Sequence, residues 1–205
     1  MRSKSNLYTS HQSEVQSIFF HELGHYISIK LNSTNIKNFG IKSMKIFYCK
    51  ECFKKIGGST EPEIPSSFDN TLKCDNYSVA KKLTNLYFGC VFQNILFEKE
   101  LSFKNCLIHY GNYDNEEIKN LLQNCNMLKS KHEIDNLYED LKNEFEKRTD
   151  ILSLKKIDIS KIIEFNSQSE IKIDLNKLDE LTSEFILRFK DFYNQKINLI
   201  SQELY

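Results

Sequence analysis

The stretch SIFFHELGHYISIKL, residues 17–31, limits the possible folds more than any other part of the chain. Its apolar residues recur at three- and four-residue spacing, which predicts a helix over residues 10–31 that is buried on most sides. The same helix carries His21, Glu22 and His25. Burying these three side chains together is costly unless they share a partner. The fold must therefore enclose this helix and supply that partner.

The spacing of the three polar residues favours a metal site over an ordinary helix whose histidines are solvated or satisfied in the core. Residues four apart lie on one helix face, so His21 and His25 can each offer a ring nitrogen to one zinc ion. Glu22 is turned by about 100° around the axis, which lets it reach a water molecule on that metal. Zinc lowers the pKa of such a water to about 7, and the glutamate accepts its proton as the water attacks a peptide carbonyl. The motif predicts one zinc ion per chain.

A third protein ligand must come from elsewhere in the chain. A metzincin continues with a glycine and a third histidine, but Ser28 and Leu31 occupy those positions here. Gly24, inside the same helix, predicts that another backbone approaches closely there, because glycine is otherwise unfavourable in a helix. The candidates for the third ligand are His109, Asp114 and Glu146.

The rest of the sequence predicts a mainly α fold with a small β-sheet, an α+β class. Six glycines and two prolines in 205 residues favour long regular elements. Residues 36–60 alternate in a way that predicts two or three short strands, with Gly57 and Gly58 at a bulge or a close backbone approach. Residues 61–70 are the clearest loop, and residues 152–174 fit either short helix or strand. Further helices are predicted over residues 76–101, 114–128, 131–150 and 175–204.

The order of these elements suggests a core, residues 1–128, and a helical extension, residues 129–205, packed on that core. Lys plus Arg equals Asp plus Glu at 28 each, so the charge favours neither nucleic acid nor membrane as a partner. No apolar segment is long enough to cross a bilayer, and the N-terminus has no secretion signal, so we expect a cytoplasmic protein. In that compartment the six cysteines are expected to be reduced, including Cys49 and Cys52, which lack the second cysteine pair of a structural zinc site.

The order of motifs resembles the peptidase domain of the FtsH family of ATP-dependent zinc proteases. That family has a HEAGH helix, strands with a glycine pair and a threonine, a helix similar to LLGGRAAEELVFG, and then a TGASND segment. The corresponding stretches here are FFHELGHYIS, KIGGSTEPEIP, LYFGCVFQNILFEKE and HYGNYDNEEIKNL. The resemblance covers about residues 12–128. Cys90 and Gln93 depart from it, since they stand where the family has arginine and glutamate.

The resemblance implies a zincin-like helical peptidase domain in which Asp114 is the third zinc ligand beside His21 and His25, with Glu22 as the catalytic base. The opposing interpretation is that Asp114 caps a helix, with Glu117 completing a capping box. The sequence lacks the phosphate-binding loop of an ATPase, so we expect a free-standing, ATP-independent endopeptidase. Its substrate is a protein or peptide that pairs with an edge strand. That strand is predicted at Ile56, Gly57, Gly58 and Ser59, and the candidate stabilisers of the transition state are His109 and Tyr110.

Two other functions fit the sequence. The first is a degenerate zincin that serves as a binding or regulatory module, which the departures at Cys90 and Gln93 favour and the intact Glu22 opposes. The second is a regulatory protease of the ImmA type that cleaves a repressor, which requires Glu or His as the third ligand. In each case the helices after residue 128 are the predicted site for a protein partner.

Overall fold

The computed structural model describes residues 6–33, 40–52, 55–63, 74–97 and 102–204. Within these ranges the chain is mainly helical with one small antiparallel sheet, which confirms the predicted fold class. The helices are α1 (Leu7–Ser10), α2 (Gln12–Ser33), α3 (Asn76–Leu96), α4 (Phe103–His109), α5 (Asn112–Asn124), α6 (Lys131–Glu146), α7 (Thr149–Ser153) and α8 (Leu175–Glu203). The strands are β1 (Gly40–Tyr48), β2 (Ile56–Glu63), β3 (Ile163–Asn166) and β4 (Glu170–Ile173).

Helix α2 lies at the centre of the fold, as its apolar sequence predicts. It is buried from Ser17 to Ile29 and packs along α3. A Cβ atom on Gly24 would stand 2.0 Å from the carbonyl oxygen of Phe88, so the predicted close backbone approach at this glycine is confirmed. This contact holds one face of α2 against α3, on the side where the two histidines meet Gly89.

The sheet has the strand order β2-β1-β4-β3, and all three pairings are antiparallel. Strand β1 lies between β2 and β4, so that Ile46 is opposite both Gly58 and Ile171. Residues after 128 thus supply two of the four strands as well as α6, α7 and α8, and the segment whose sequence fits either helix or strand contains both strands. Apolar and polar residues alternate in β4, as in a strand with one buried face. Ile171 and Ile173 are buried against the core, while Lys172 is exposed.

Two predicted boundaries also need correction. Residues 61–63 are not loop but the end of β2, where Pro62 is tolerated because β2 is at the edge of the described sheet. Residues 64–70 lie outside the described part of the chain. The register irregularity falls between Ile41 and Ser43 of β1, so the glycine pair in β2 is not a bulge. Residues 103–109, which lie between two of the predicted helices, form α4, and the next helix begins at Asn112 rather than Asp114.

The residues after 128 pack on α2 and α3. Helix α8 contacts both, and its aromatic side chains meet those of α3 and α6 in a buried cluster. Phe88 of α3 lies edge-on to Phe145 and Tyr193, with ring centroids 5.7 Å apart in both pairs. The buried side chains of α8, among them Phe185, Phe189 and Tyr193, therefore belong to the same core as the histidine helix.

Four of the six cysteines form disulfides, so the prediction that all are reduced is wrong for these four. Cys49 and Cys52 lie in the connection between β1 and β2 with Cα atoms 5.3 Å apart. Cys74 and Cys125 flank α3 and α5, which pack side by side, and their Cα atoms are 5.1 Å apart. Cys90 and Cys106 are buried and take no part in the two disulfides. No helix in the described ranges is long and apolar enough to cross a membrane.

Candidate metal centre

Three side chains from two helices converge on one point. Helix α2 supplies His21 and His25, and the first turn of α5 supplies Asp114. Asp114 Oδ2 lies 3.1 Å from His21 Nε2 and 3.3 Å from His25 Nε2, and the two Nε2 atoms are 3.2 Å apart. The side chains of all three residues are almost completely buried. Two nitrogens and one carboxylate oxygen therefore form a nearly equilateral triangle in the protein interior.

This triangle fits a zinc ion. Ligand atoms about 2.0–2.1 Å from a tetrahedral zinc lie roughly 3.3–3.4 Å from one another, close to the three observed separations. The space beside the nitrogens is kept open by Gly89 of α3, whose Cβ would stand 2.6 Å from His21 Nε2 and 2.7 Å from His25 Nε2. A side chain at this position would therefore fill the region that both nitrogens face. His21, His25 and Asp114 are the residues that would hold the metal.

The local sequence explains why Asp114 faces the histidines. Gly111 ends the turn after α4 and caps α5, so Asp114 is the third residue of the helix rather than its cap. The capping interpretation is therefore wrong, because the helix starts earlier than its polar sequence suggests. The positive end of the α5 dipole stabilises a carboxylate at this position. Ile118 of α5 is buried, α5 packs against α3, and the Cys74–Cys125 disulfide links the segments that flank the two helices.

The outer nitrogen of each imidazole has its own partner. His25 Nδ1 lies 2.8 Å from the carbonyl oxygen of Asn85, and His21 Nδ1 lies 3.0 Å from Gln93 Oε1. Both partners are acceptors, so each Nδ1 donates and each Nε2 is directed to the shared point. Two acceptors on the outside and one carboxylate on the inside are the surroundings that metal-binding histidines require.

Glu22 lies beside this triangle and is held by strand β2. Its side chain can bring an oxygen within 4.8 Å of ring nitrogens of both histidines. The Thr60 hydroxyl lies 2.8 Å from Glu22 Oε2, to which it donates, and 3.2 Å from the Glu22 backbone carbonyl. A Cβ on Gly58 would stand 2.5 Å from Glu22 Oε1, so the predicted close approach at the glycine pair is confirmed at this residue. The carboxylate therefore has one fixed oxygen and little room to turn.

Burial and neighbouring charges shift the pKa values of Glu22, His21, His25 and Asp114 in opposite directions. Burial raises the pKa of Glu22 above its usual value, although the two histidines partly oppose the shift. Burial lowers the pKa values of His21 and His25, but the Asp114 carboxylate outweighs it and raises both, that of His21 the more. Burial would raise the pKa of Asp114, yet both histidines hold it well below its usual range. Asp114 is therefore ionised, and Glu22 has the raised basicity that suits a proton acceptor.

Cys90 and Cys106 lie near His21, and their sulfur atoms are within 4.8 Å of one of its nitrogens. A cysteine binds metal as the thiolate. Burial and the neighbouring Cys106 raise the pKa of Cys90 well above its usual value, so Cys90 stays a neutral thiol. The Cys106 thiol donates to Gln93 Oε1 over 3.3 Å. These two residues form a wall of the site and are poor candidates for ligands.

The other predicted site residues lie as follows. Of the candidate third ligands, Asp114 is the one that the described structure brings to the histidines. Glu146 lies on α6, where its Oε1 is 3.7 Å from Lys142 Nζ. His109 ends α4 and is exposed, and Tyr110 follows it half-buried, so neither is assigned a role by its position.

The predicted substrate strand is only partly accessible. Ile56 and Gly57 are buried, whereas Gly58 and Ser59 are half-buried. The accessible part of β2 continues instead from Gly58 to Glu63, at the edge of the described sheet.

Sequence reasoning missed Thr60, Gly89 and the hydrogen-bonding role of Gln93. A buried glutamine on the apolar face of α3 was a usable signal, since such an amide needs partners. The Asn85 carbonyl gave none, because any residue has a backbone oxygen. Comparison with protein-family models, with curated proteins and with solved structures finds no match to this chain. The resemblance to the FtsH family therefore stays a prediction that rests on the motifs.

Proposed function

We propose that this protein is a zinc-dependent endopeptidase. The observation that carries the proposal is the triangle of His21 Nε2, His25 Nε2 and Asp114 Oδ2, with its 3.1–3.3 Å edges, next to the buried Glu22. When bound, zinc supplies a Lewis acid that polarises a water molecule and a peptide carbonyl. Two neutral donors and one carboxylate leave the coordination of zinc incomplete, which is typical of catalytic rather than structural sites.

Glu22 is the general base in this proposal. Its pKa is raised by burial, so it takes up a proton from the attacking water more readily than an ordinary glutamate. Thr60 holds Oε2 from the side of β2, which leaves Oε1 to exchange the proton. The same carboxyl group then delivers that proton to the leaving amine as the peptide bond breaks.

Strand β2 supports the choice of an extended peptide as substrate. Its backbone passes directly over Glu22 at Gly58 and Thr60, and its accessible half lies at the edge of the described sheet. An extended peptide that adds to this edge by main-chain hydrogen bonds has its scissile carbonyl near the base. This arrangement favours cleavage within a chain, since pairing on both sides of the bond needs several residues.

The alternatives receive less support. A degenerate zincin has no need for the hydrogen bond between Thr60 and Glu22, which fixes the base. Gln93, which differs from the FtsH pattern, bonds to His21 and so supports the site. An ImmA-type protease requires Glu or His where Asp114 stands.

Several accompanying expectations remain predictions. Activity without ATP, membership of the FtsH family and a partner at the helices after residue 128 rest on the sequence. A cytoplasmic location is opposed by the two disulfides, which are rare in reducing compartments.

Peptide cleavage by purified protein tests the proposal. The substrates are an unfolded protein and a library of quenched fluorescent peptides, with zinc added or removed by a chelator. We expect the wild type to cut internal bonds when zinc is present, and Glu22→Gln to bind zinc but lose activity by a factor on the order of 10³ or more. Zinc-loaded, folded wild type that cuts none of these substrates would argue against an endopeptidase.

A further inference from the structure

Gln93 forms a second layer behind the metal triangle. Its side chain is completely buried on α3, and Oε1 lies 3.0 Å from His21 Nδ1. The same oxygen accepts from the Cys106 thiol over 3.3 Å. On the other side, Gln93 Nε2 donates to Ser17 Oγ over 2.8 Å. Each end of this buried amide therefore has a partner inside the protein.

The contacts with Ser17 and Cys106 favour the orientation in which the amide oxygen faces His21. A thiol is a weak donor and a weak acceptor, while the two N–H groups of an amide need acceptors. The reverse orientation would direct the NH₂ group of Gln93 at the thiol and away from the Ser17 oxygen. The observed orientation is therefore the favourable one, and the oxygen beside His21 Nδ1 requires a proton on that nitrogen.

His21 has a competing acceptor on its inner side. Asp114 Oδ2 lies 3.1 Å from His21 Nε2. A neutral imidazole has one ring proton, and placing it on Nε2 would satisfy Asp114 but block that nitrogen for metal binding. Placing it on Nδ1 satisfies Gln93 and leaves the Nε2 lone pair directed at the point shared with His25 and Asp114.

We propose that Gln93 is a positioning residue that selects the Nδ1–H tautomer of His21 and thereby sets the affinity of the site for zinc. The inference rests on the proposed zinc site. Partners of this kind are usually carboxylates, backbone carbonyls or waters. Gln93 supplies the acceptor without a third buried negative charge beside Glu22 and Asp114. The partner of His25 is the Asn85 backbone, so His21 is the ligand whose tautomer depends on a side chain.

Matched substitutions on α3 test the effect on zinc affinity, measured by competition with a chromophoric chelator. Gln93→Leu removes the acceptor and is expected to weaken zinc binding on the order of 10- to 100-fold. Gln93→Glu keeps an acceptor and is expected to remain within a few-fold of the wild type. The control is Asn94→Leu, which replaces a neighbouring buried amide that accepts from Lys142 and is expected to leave the affinity unchanged.

Nitrogen NMR of isotope-labelled histidine reads the tautomer without zinc, above the titration range of the imidazole. We expect the His21 proton on Nδ1 in the wild type and in Gln93→Glu, and on Nε2 in Gln93→Leu. Folded Gln93→Leu with the wild-type tautomer and zinc affinity would overturn the inference. Wild type that binds no zinc but shows the Gln93-dependent tautomer would instead refute the proposed function and the effect on zinc affinity, and would leave only the selection of the tautomer by Gln93 standing.

A further variant covers the case in which Gln93→Leu does not fold. Ser17→Ala removes the outer partner of the amide and lets it turn, so both the Nδ1–H fraction of His21 and the zinc affinity should fall. Unchanged values of both in Ser17→Ala would overturn the inference.

Discussion

Gly89 offers a way to close the metal site while every proposed ligand stays in place. The Cβ of Gly89→Ala would stand 2.6 Å from His21 Nε2 and 2.7 Å from His25 Nε2. An ordinary contact between carbon and nitrogen is about 3.4 Å, so the imidazoles must retreat by roughly 0.7 Å. Overpacking of this kind costs about 1–3 kcal/mol, which corresponds to about 5- to 150-fold weaker zinc binding.

The zinc-free protein should respond differently to the same change. Gly89 is inside α3, where alanine is preferred over glycine by about 1 kcal/mol, which offsets part of the overpacking cost, and without metal no ion fixes the positions of the two Nε2 atoms. We therefore expect Gly89→Ala to melt within a few degrees of the wild type when zinc is absent. Isothermal titration with zinc and thermal unfolding of the zinc-free protein measure the two quantities separately.

Gly40→Ala is the matched control for Gly89→Ala. Its Cβ would meet the end of the flexible Glu63 side chain at 3.1 Å, on the sheet and away from the histidines. Zinc affinity should be unchanged in this variant. Folded Gly89→Ala that binds zinc within twofold of the wild type would refute the assignment of the metal to the space beside Gly89.

Two further predictions concern the base and a disulfide. Thr60→Val removes the hydroxyl that bonds to Glu22, so kcat for peptide cleavage should fall on the order of 10- to 100-fold with zinc content unchanged. The control is Thr149→Val, a change at an exposed threonine of α7, which should retain wild-type activity. Equal rates of cleavage in both variants would contradict the role of Thr60 in positioning the Glu22 carboxylate. Replacing Cys74 and Cys125 together by serine opens a link across 51 residues and should lower the free energy of unfolding in urea by about 4 kcal/mol, and a change under 1 kcal/mol would contradict a stable disulfide.

The helical part of the fold could be predicted because its signals are local. The apolar spacing around His21 defines α2, and Gly24 predicts a close backbone approach, although not that the neighbour is α3. The strands β3 and β4 are ambiguous in the sequence because each has four residues, and β4 also pairs with β1, which is distant in sequence. Short strands leave too few alternations to be distinguished from other structure.

The residues of the candidate site also differ in whether local sequence signals predict them. His21, Glu22 and His25 share one helix, so their proximity follows from helix geometry. Asp114 is preferred among the candidate third ligands only through the family resemblance. It stands 89 positions beyond His25 in the chain, so the local sequence does not indicate that the two side chains meet. Thr60 and the disulfide partners depend on how separate elements pack, and cysteine pairing does not follow from sequence spacing.

The zinc content of purified protein tests the central claim most directly. Elemental analysis is made on the wild type, on Asp114→Ala and on Glu22→Gln, each dialysed after loading with zinc. The account predicts about one zinc per chain in the wild type and in Glu22→Gln, and strong loss of zinc in folded Asp114→Ala. Full zinc content in Asp114→Ala, or none in the wild type, would contradict a site built from His21, His25 and Asp114.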